Sequence, residues 1–303
     1  MKILICDKTE KEAIEQMRSA GLQVDIRDDI TPEELPSVLP AYDGMVVRSR
    51  TKVRQPLIDA CPNLKVIVRG GVGLDTIDAE YARSKGITVM NTPLASSASV
   101  AELAIGYMFA LARSIFQATS SMKSEKWEKK LFEGVELGGK TLGLVGIGNI
   151  GKEVARRANA LGMTVIAYDP YVTSAEGVKI VTLDELLSGS DYISLHLPKT
   201  KESAGMLGAA AFAKMKPGVR IINCARGGII DEQALHDALT SGHVAGAALD
   251  VYSEEPPTDW TLVKLPNVIG SPHIGAATKE AQGRVGAEVA QKLIDFARNM
   301  QPA

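Results

Sequence analysis

At 303 residues and 45% hydrophobic content, the chain can bury two cores, and its length suggests two domains of ordinary size. A formal net charge of −2 speaks against a nucleic-acid surface or an anionic membrane face and turns attention to a small-molecule partner. Cys6, Cys61 and Cys224 are widely spaced and form no CxxC pair, which excludes a zinc ribbon, leaves no metal site expected and fits the reduced thiols of a cytoplasmic protein.

The first apolar run, MKILICD, is too short for a secretory signal. Through the first hundred residues, β-rich runs (ILICD, VDIR, GMVVRS, KVIVRG, TVMN) alternate with helical stretches such as EKEAIEQMRSAG and QPLIDAC. That alternation predicts a parallel, doubly wound sheet. One long helix is expected over ASVAELAIGYMFALARSIF, whose most apolar part, 103–112, is about half of a membrane span. TLGLV, the turn GIGNIG and the amphipathic KEVARRANALGM come next, and the βα rhythm continues through TVIAYDP, YISLHLP, VRIINCAR, AGAALDVY and NVIGSPH. These strands end in polar or Gly-rich residues, where open α/β sheets place their ligands. A final helix over TKEAQGRVGAEVAQKLIDFARNM reads as a return to the first domain.

GIGNIG is the phosphate-binding turn of a dinucleotide fold. Gly146 permits the tight turn, Gly148 lets the backbone approach a pyrophosphate, and Gly151 lets the helix pack closely on the strand. The helix N-terminus offers free amides to the anion. Asp169, eighteen positions beyond Gly151, stands near the spacing of a carboxylate that accepts from ribose hydroxyls. It would repel a 2′-phosphate, and no Arg follows it in DPYVTS, so NAD is preferred over NADP.

Three polar residues follow later strands: Arg226 in NCARGGIID, Glu255 in DVYSEEPP and His273 in SPHIGAAT. Hydride transfer at a hydroxyl-bearing carbon needs a group to exchange the hydroxyl proton, and imidazole suits that task. A carboxylate on the other ring nitrogen would fix the tautomer, and an arginine could grip a substrate carboxylate and polarise the carbonyl. The same residues also fit caps, loop charges or a solvated acidic pair; the nucleotide turn favours the chemical reading. His196, in LHLP, competes with His273 but suits a cofactor-lining place, while His236 and His243 read as surface residues. In the first domain VVRSRTKVR brings Arg48, Arg50, Lys52 and Arg54 into one loop, either an anion site or solvated charge. RGGVG, Arg69 to Gly73, could turn backbone amides toward a carboxylate.

Together VRSRTKV, VRGGVGLDTID, NTPLASSASVAELAIG, GKTLGLVGIGNIG, SLHLPKTKES, MKPGVRIINCARGGIIDEQAL, AGAALDVYSEEPP and SPHIGAATKEAQ resemble the D-isomer-specific 2-hydroxyacid dehydrogenase family, and within it the D-3-phosphoglycerate branch. The resemblance covers nearly the whole chain. It implies two doubly wound α/β domains: a Rossmann-type NAD-binding domain, 98–273, inserted into a flavodoxin-like substrate domain of 1–97 and 274–303. It implies that Arg226 orients the hydroxy or keto acid, His273 is the general acid-base and Glu255 supports it. Asn149 and Ile150 would border the pyrophosphate, and Val72, Leu197, Pro198, Cys224, Ala225, Asp250, Gly275 and Ala276 would complete the cofactor lining with His196. Leu197 departs from the threonine of some relatives. Arg48 and Lys52 would meet the phosphate of 3-phosphoglycerate, and Arg69, Gly71, Val72 and Gly73 its carboxylate.

The resemblance further implies a homodimer or homotetramer, with an arm containing Trp127, Lys129 and Lys130 reaching the neighbouring site. The expected reaction is the first step of phosphorylated serine biosynthesis, in a short enzyme that ends at Ala303 without a regulatory domain or its serine feedback. Its rivals are a hydroxypyruvate or glyoxylate reductase of the same family and, from another class, an NAD-sensing protein like the C-terminal-binding corepressors.

Overall fold

The run KILI forms strand β1 (Lys2–Ile5), and its last three, apolar residues are buried, as expected of a strand covered on both faces. The structure, a computed structural model, describes residues 1–300; the last three residues, which the expected substrate domain takes in, lie outside them. It divides into two units, Met1–Ser96 with the chain from Ala277, and Ser97–Ala276.

In the first unit β1 is followed by α1 (Lys11–Ser19), β2 (Gln23–Ile26), α2 (Leu35–Val38), β3 (Gly44–Val47), α3 (Gln55–Asp59), β4 (Val66–Arg69), α4 (Ala79–Ser84) and β5 (Thr88–Asn91). The sheet is parallel in the order β2-β1-β3-β4-β5, the flavodoxin-like order, whose direction of winding reverses between β1 and β3.

The second unit runs α5 (Ser97–Ala112), α6 (Ile115–Lys123), β6 (Thr141–Val145), α7 (Asn149–Ala160), β7 (Thr164–Tyr168), β8 (Lys179–Ile180), α8 (Leu183–Gly189), β9 (Tyr192–Leu195), α9 (Ala209–Lys214), β10 (Val219–Asn223), α10 (Glu232–Thr240), β11 (Val244–Leu249) and β12 (Val268–Gly270). Its seven parallel strands take the order β12-β11-β10-β9-β6-β7-β8. This is Rossmann winding, with the reversal between β6 and β9. Among the described residues no single helix is long and apolar enough to cross a membrane.

The chain then re-enters the first unit as α11 (Lys279–Asn299). Val285, Val289, Ala290 and Leu293 of α11 join Ile3, Ile5, Ala13 and Met17 in one apolar cluster. A Cβ on Gly286 would lie 3.1 Å from that of Ala13, so the missing side chain lets α11 approach α1 closely.

Three expectations need correction. The single long helix is two, because Ser114 adopts φ 49; a left-handed residue cannot continue a right-handed ladder, and the axis bends by 64° between α5 and α6. The run AGAALDVY ends as a strand at Leu249, since the next residue, Asp250, turns its carboxylate inward. The chain also leaves the first unit after Ser96 rather than 97 and returns after Ala276 rather than 273. Residues 274–275 stay with the second unit because Asp250 accepts from the amides of Ile274 (2.8 Å) and Gly275 (2.7 Å), while the Ser99 hydroxyl donates to the Gly275 carbonyl (2.7 Å).

Candidate active site

At the winding reversal of the second sheet, β6 ends in the turn Gly146–Gly151. Gly146 has φ 95, and a Cβ there would lie 2.5 Å from the His196 carbonyl oxygen; one on Gly151 would lie 2.5 Å from the Gly146 carbonyl oxygen. Both positions therefore demand glycine for packing within the protein. A Cβ on Gly148 would meet nothing within 4 Å, and α7 begins at Asn149 with no side-chain cap. The start of α7 thus lies beside open space that suits the diphosphate of a dinucleotide.

Asp169, just beyond β7, is fastened to this turn: one carboxylate oxygen accepts from the Ile147 amide (3.0 Å), the other from Tyr171 (2.9 Å) and Val172 (3.2 Å). His196 ends β9 on the other side of the reversal. Its Nε2 meets Ser194 Oγ at 2.9 Å, while Nδ1 is buried without a hydrogen-bond partner. Burial pushes the ring pKa down to about 3, so His196 is neutral at physiological pH. Leu197 is half-buried and Pro198 exposed beyond it.

The three residues expected to carry the chemistry, Arg226, Glu255 and His273, lie on three loops of the same unit. Asn223, buried at the end of β10, donates to the Arg226 carbonyl (3.0 Å) and accepts from the Ala225 amide (3.0 Å). That side chain sets the turn that presents Arg226, whose Nη1 donates to the Ala225 carbonyl (2.7 Å). After β11, Glu255 accepts from the Tyr252 amide through Oε1 (3.2 Å) and meets His273 Nδ1 through Oε2 at 2.7 Å. A carboxylate can only accept, so Nδ1 carries the proton and Nε2 is left to exchange one. Burial pushes the Glu255 carboxyl up, but its hydrogen bond to His273, the charges of His273 and Arg226, and the Tyr252 amide outweigh it and hold the group below the usual carboxylate range. His273 itself has φ 53, a region that non-glycine residues rarely occupy.

Two residues expected to line the cofactor have clear work inside the fold. Asp250, 1% exposed, ties down the loop 271–275 through Ser271 Oγ and the amides of Ile274 and Gly275. Cys224 is buried and its thiol is pushed far up by that burial, which excludes a thiolate there. Ala225 is buried, while Gly275 and Ala276 follow the His273 turn. His236 and His243, expected on the surface, are half-buried, and His243 Nε2 meets the Phe212 carbonyl at 2.8 Å.

In the first unit the basic loop follows β3, at the winding reversal of that sheet, but only part of it is available for an anion. Arg50 is spent on the buried Asp7 (2.9 Å) and the carbonyls of Cys6, Asp28 and Ile30, and Arg54 pairs with Asp78 (2.9 Å). Arg48 is half-buried, its amide donating to Asp7 (2.5 Å) and its guanidinium reaching the Lys8 carbonyl at 3.4 Å. Lys52 is exposed and unpaired among the described residues. The amide of Gly71 is used by the Arg69 carbonyl (3.0 Å), so the nest expected over Arg69–Gly73 reduces to the amides of Val72 and Gly73. Trp127 is 80% exposed, and Lys129 and Lys130 open a short 3₁₀ turn.

Sequence reasoning missed Asn223, Ser271 and Asp7. Asp7 and Asn223 act on backbone groups and Ser271 on the Asp250 carboxylate, partners that no local motif announces, although Asp7 and Asn223 share one signal, a polar residue at or within two positions of the end of a buried strand.

A glycine cradle at the reversal of a seven-stranded parallel sheet defines a Rossmann-type dinucleotide-binding protein. Residues 105–275 match the NAD binding domain of the D-isomer specific 2-hydroxyacid dehydrogenases, and the chain belongs to that family. It is 48% identical to a D-3-phosphoglycerate dehydrogenase of Archaeoglobus fulgidus over 99% of this chain and 58% of that protein. The chain therefore spans a little over half the length of that relative. It is 50% identical to a hydroxypyruvate reductase of Thermotoga maritima over 96% of this chain and 97% of the relative. The crystal structure of an Aquifex aeolicus D-lactate dehydrogenase complexed with NAD and lactic acid superposes with a TM-score of 0.88 at 30% identity, covering 99% of this chain and 96% of that one.

Proposed function

We propose that this protein oxidises D-3-phosphoglycerate to 3-phosphohydroxypyruvate with NAD, and catalyses the reverse reduction. The observation that carries the chemistry is the His273–Glu255 contact of 2.7 Å, which lowers the Glu255 carboxyl, with a smaller contribution from the charge of Arg226. Bound NAD supplies the hydride acceptor, and NADH the donor. His273 Nε2 removes the proton of the substrate hydroxyl during oxidation and returns it to the carbonyl oxygen during reduction. Glu255 keeps Nδ1 protonated and stabilises the imidazolium that oxidation creates. Arg226 holds the substrate carboxylate and polarises the reacting carbonyl.

Asp169 supports NAD over NADP, since a 2′-phosphate would meet like charge there. The phosphorylated substrate is supported by the relatives named D-3-phosphoglycerate dehydrogenase and by the two basic residues of the 48–54 loop that the fold leaves available, Arg48 and Lys52, with the Val72 and Gly73 amides for the carboxylate. The reading includes a cytoplasmic homodimer or homotetramer whose second copy covers the exposed Trp127. A second reading, reduction of unphosphorylated hydroxypyruvate, is favoured by the relative of matching length from Thermotoga maritima.

The deciding experiment is NADH oxidation by the purified protein with 3-phosphohydroxypyruvate, hydroxypyruvate and glyoxylate compared by kcat/KM. Preference for the phosphorylated acid by a factor of about 100 or more, about 3 kcal/mol of transition-state binding, is the expected result. In that case Arg48→Ala should raise KM for it far more than for glyoxylate. Comparable use of all three acids moves the protein to the second reading, and no oxidation with any of them defeats both.

A further inference from the structure

Behind the His273–Glu255 pair a row of hydrogen bonds runs from α5 to the loop that carries His273. Tyr107 lies in the apolar stretch AIGYMFALA and is 5% exposed. Its hydroxyl bonds Ser271 Oγ, and Ser271 Oγ bonds the carboxylate of Asp250. The direction of the row follows from the chemistry of its members. Asp250 already accepts from the amides of Ile274 (2.8 Å) and Gly275 (2.7 Å), and a carboxylate has only acceptor sites. The single Ser271 proton therefore goes to Asp250, and Tyr107 donates to Ser271. Burial pushes the Tyr107 phenol well above its ordinary value, which keeps that donor protonated.

The far end of the row grips the two amides directly after His273, and the Ser99 hydroxyl holds the Gly275 carbonyl (2.7 Å). His273 has φ 53, a conformation kept by its surroundings rather than by its own preference. Phenylalanine would fill the Tyr107 site equally well, so packing does not account for the hydroxyl, and a buried hydroxyl costs free energy unless it is hydrogen-bonded. We infer that Tyr107 and Ser271 are positioning residues, a donor relay that presses Asp250 onto the 273–275 turn and so holds the His273 ring against Glu255. This assignment rests on the acid–base reading above, but its test does not depend on turnover. The ionisable groups facing the relay are Asp250, Cys224 and Tyr252, and those facing the pair include Arg226.

The test is long-range 1H–15N correlation of protein labelled with 15N-histidine, which reads the proton and hydrogen-bond state of Nδ1 in each of the four histidines; His273→Ala assigns the signal. In Tyr107→Phe the Nδ1 signal of His273 should move away from its wild-type position while those of His236 and His243 stay. Ser271→Ala should move it further, and the double variant should match Ser271→Ala alone, because the two hydroxyls act in series. With substrate, Tyr107→Phe should lower kcat about three- to tenfold, the rate equivalent of one buried hydrogen bond, and leave KM within about twofold. An unmoved His273 signal in Tyr107→Phe, or a double variant whose effects add, overturns the relay. A wild-type protein that turns over no 2-keto acid defeats the function proposed above, and the imidazole signal still decides the relay.

Discussion

His273 joins two requirements at one residue: a ring nitrogen bound to Glu255 at 2.7 Å and a backbone in the left-handed region. Replacing the ring removes proton exchange without touching the glycine cradle. His273→Ala should therefore lower kcat by about 10²- to 10⁴-fold, the usual range for a lost acid–base group, and leave the NADH dissociation constant within about twofold; steady-state kinetics with a fluorescence titration of NADH checks both. Glu255→Gln keeps the shape and removes the charge. Since the fold holds the Glu255 carboxyl below the usual carboxylate range, its negative charge is in place at neutral pH, where it favours the protonated pair. Keto-acid reduction needs that proton, so in Glu255→Gln the alkaline limb of the reduction profile should move to lower pH. A limb that stays in place would remove Glu255 from the proton transfer. Glu255 and His273 stand out in the sequence because each follows a strand of the nucleotide-binding unit; their contact does not, since eighteen residues separate them.

Strand β6, its glycine turn and α7 act as one element, and the glycines differ in what they face. At Gly146 a methyl group would strike the His196 backbone at 2.5 Å on a backbone with φ 95, so Gly146→Ala should cost about 1–3 kcal/mol of stability, as overpacking does, along with NADH binding. Gly148 has φ −70 and open space around it. Gly148→Ala should therefore melt close to the wild type but bind NADH at least about tenfold more weakly, or about 1.4 kcal/mol, because its methyl group occupies the cradle. Thermal melts and NADH titration of the two variants separate packing from recognition, and a Gly148→Ala protein that binds NADH normally would move the cradle elsewhere. This element is legible because its requirements are local: a buried strand, a tight turn and an amphipathic helix within some twenty residues. The break at Ser114 and the capture of residues 274–275 by Asp250 have no such local signature. Each arises where backbone groups meet partners distant in sequence, and the sequence leaves the basic loop open between an anion site and solvated charge for a similar reason, because Arg50 meets its partner Asp7 across 43 positions.

At the scale of the molecule, alternating strand and helix runs predict two doubly wound sheets, and the order of strands within each follows from winding rules rather than from any single segment. The division has a physical consequence. Every buried residue of the two apolar clusters on the large sheet lies between Val100 and Ile269, and all seven of its strands pair among themselves. Both ends of the segment are fastened within it by the Ser99–Gly275 hydrogen bond and the Asp250 contacts. The first unit has no such continuity, since α11 completes a cluster begun by β1 and α1. Residues 97–276, roughly 180 in number and within the usual size of a domain, should therefore fold as an excised chain, melt cooperatively and bind NADH, and the proposed substrate role of Arg48, Lys52, Val72 and Gly73 requires that it lack turnover. Circular dichroism melts and an NADH titration of this fragment test the point. A fragment that melts without cooperativity would mean that the large sheet draws its stability from outside its own clusters, whereas a folded fragment that turns over 3-phosphohydroxypyruvate would remove the first unit from substrate recognition.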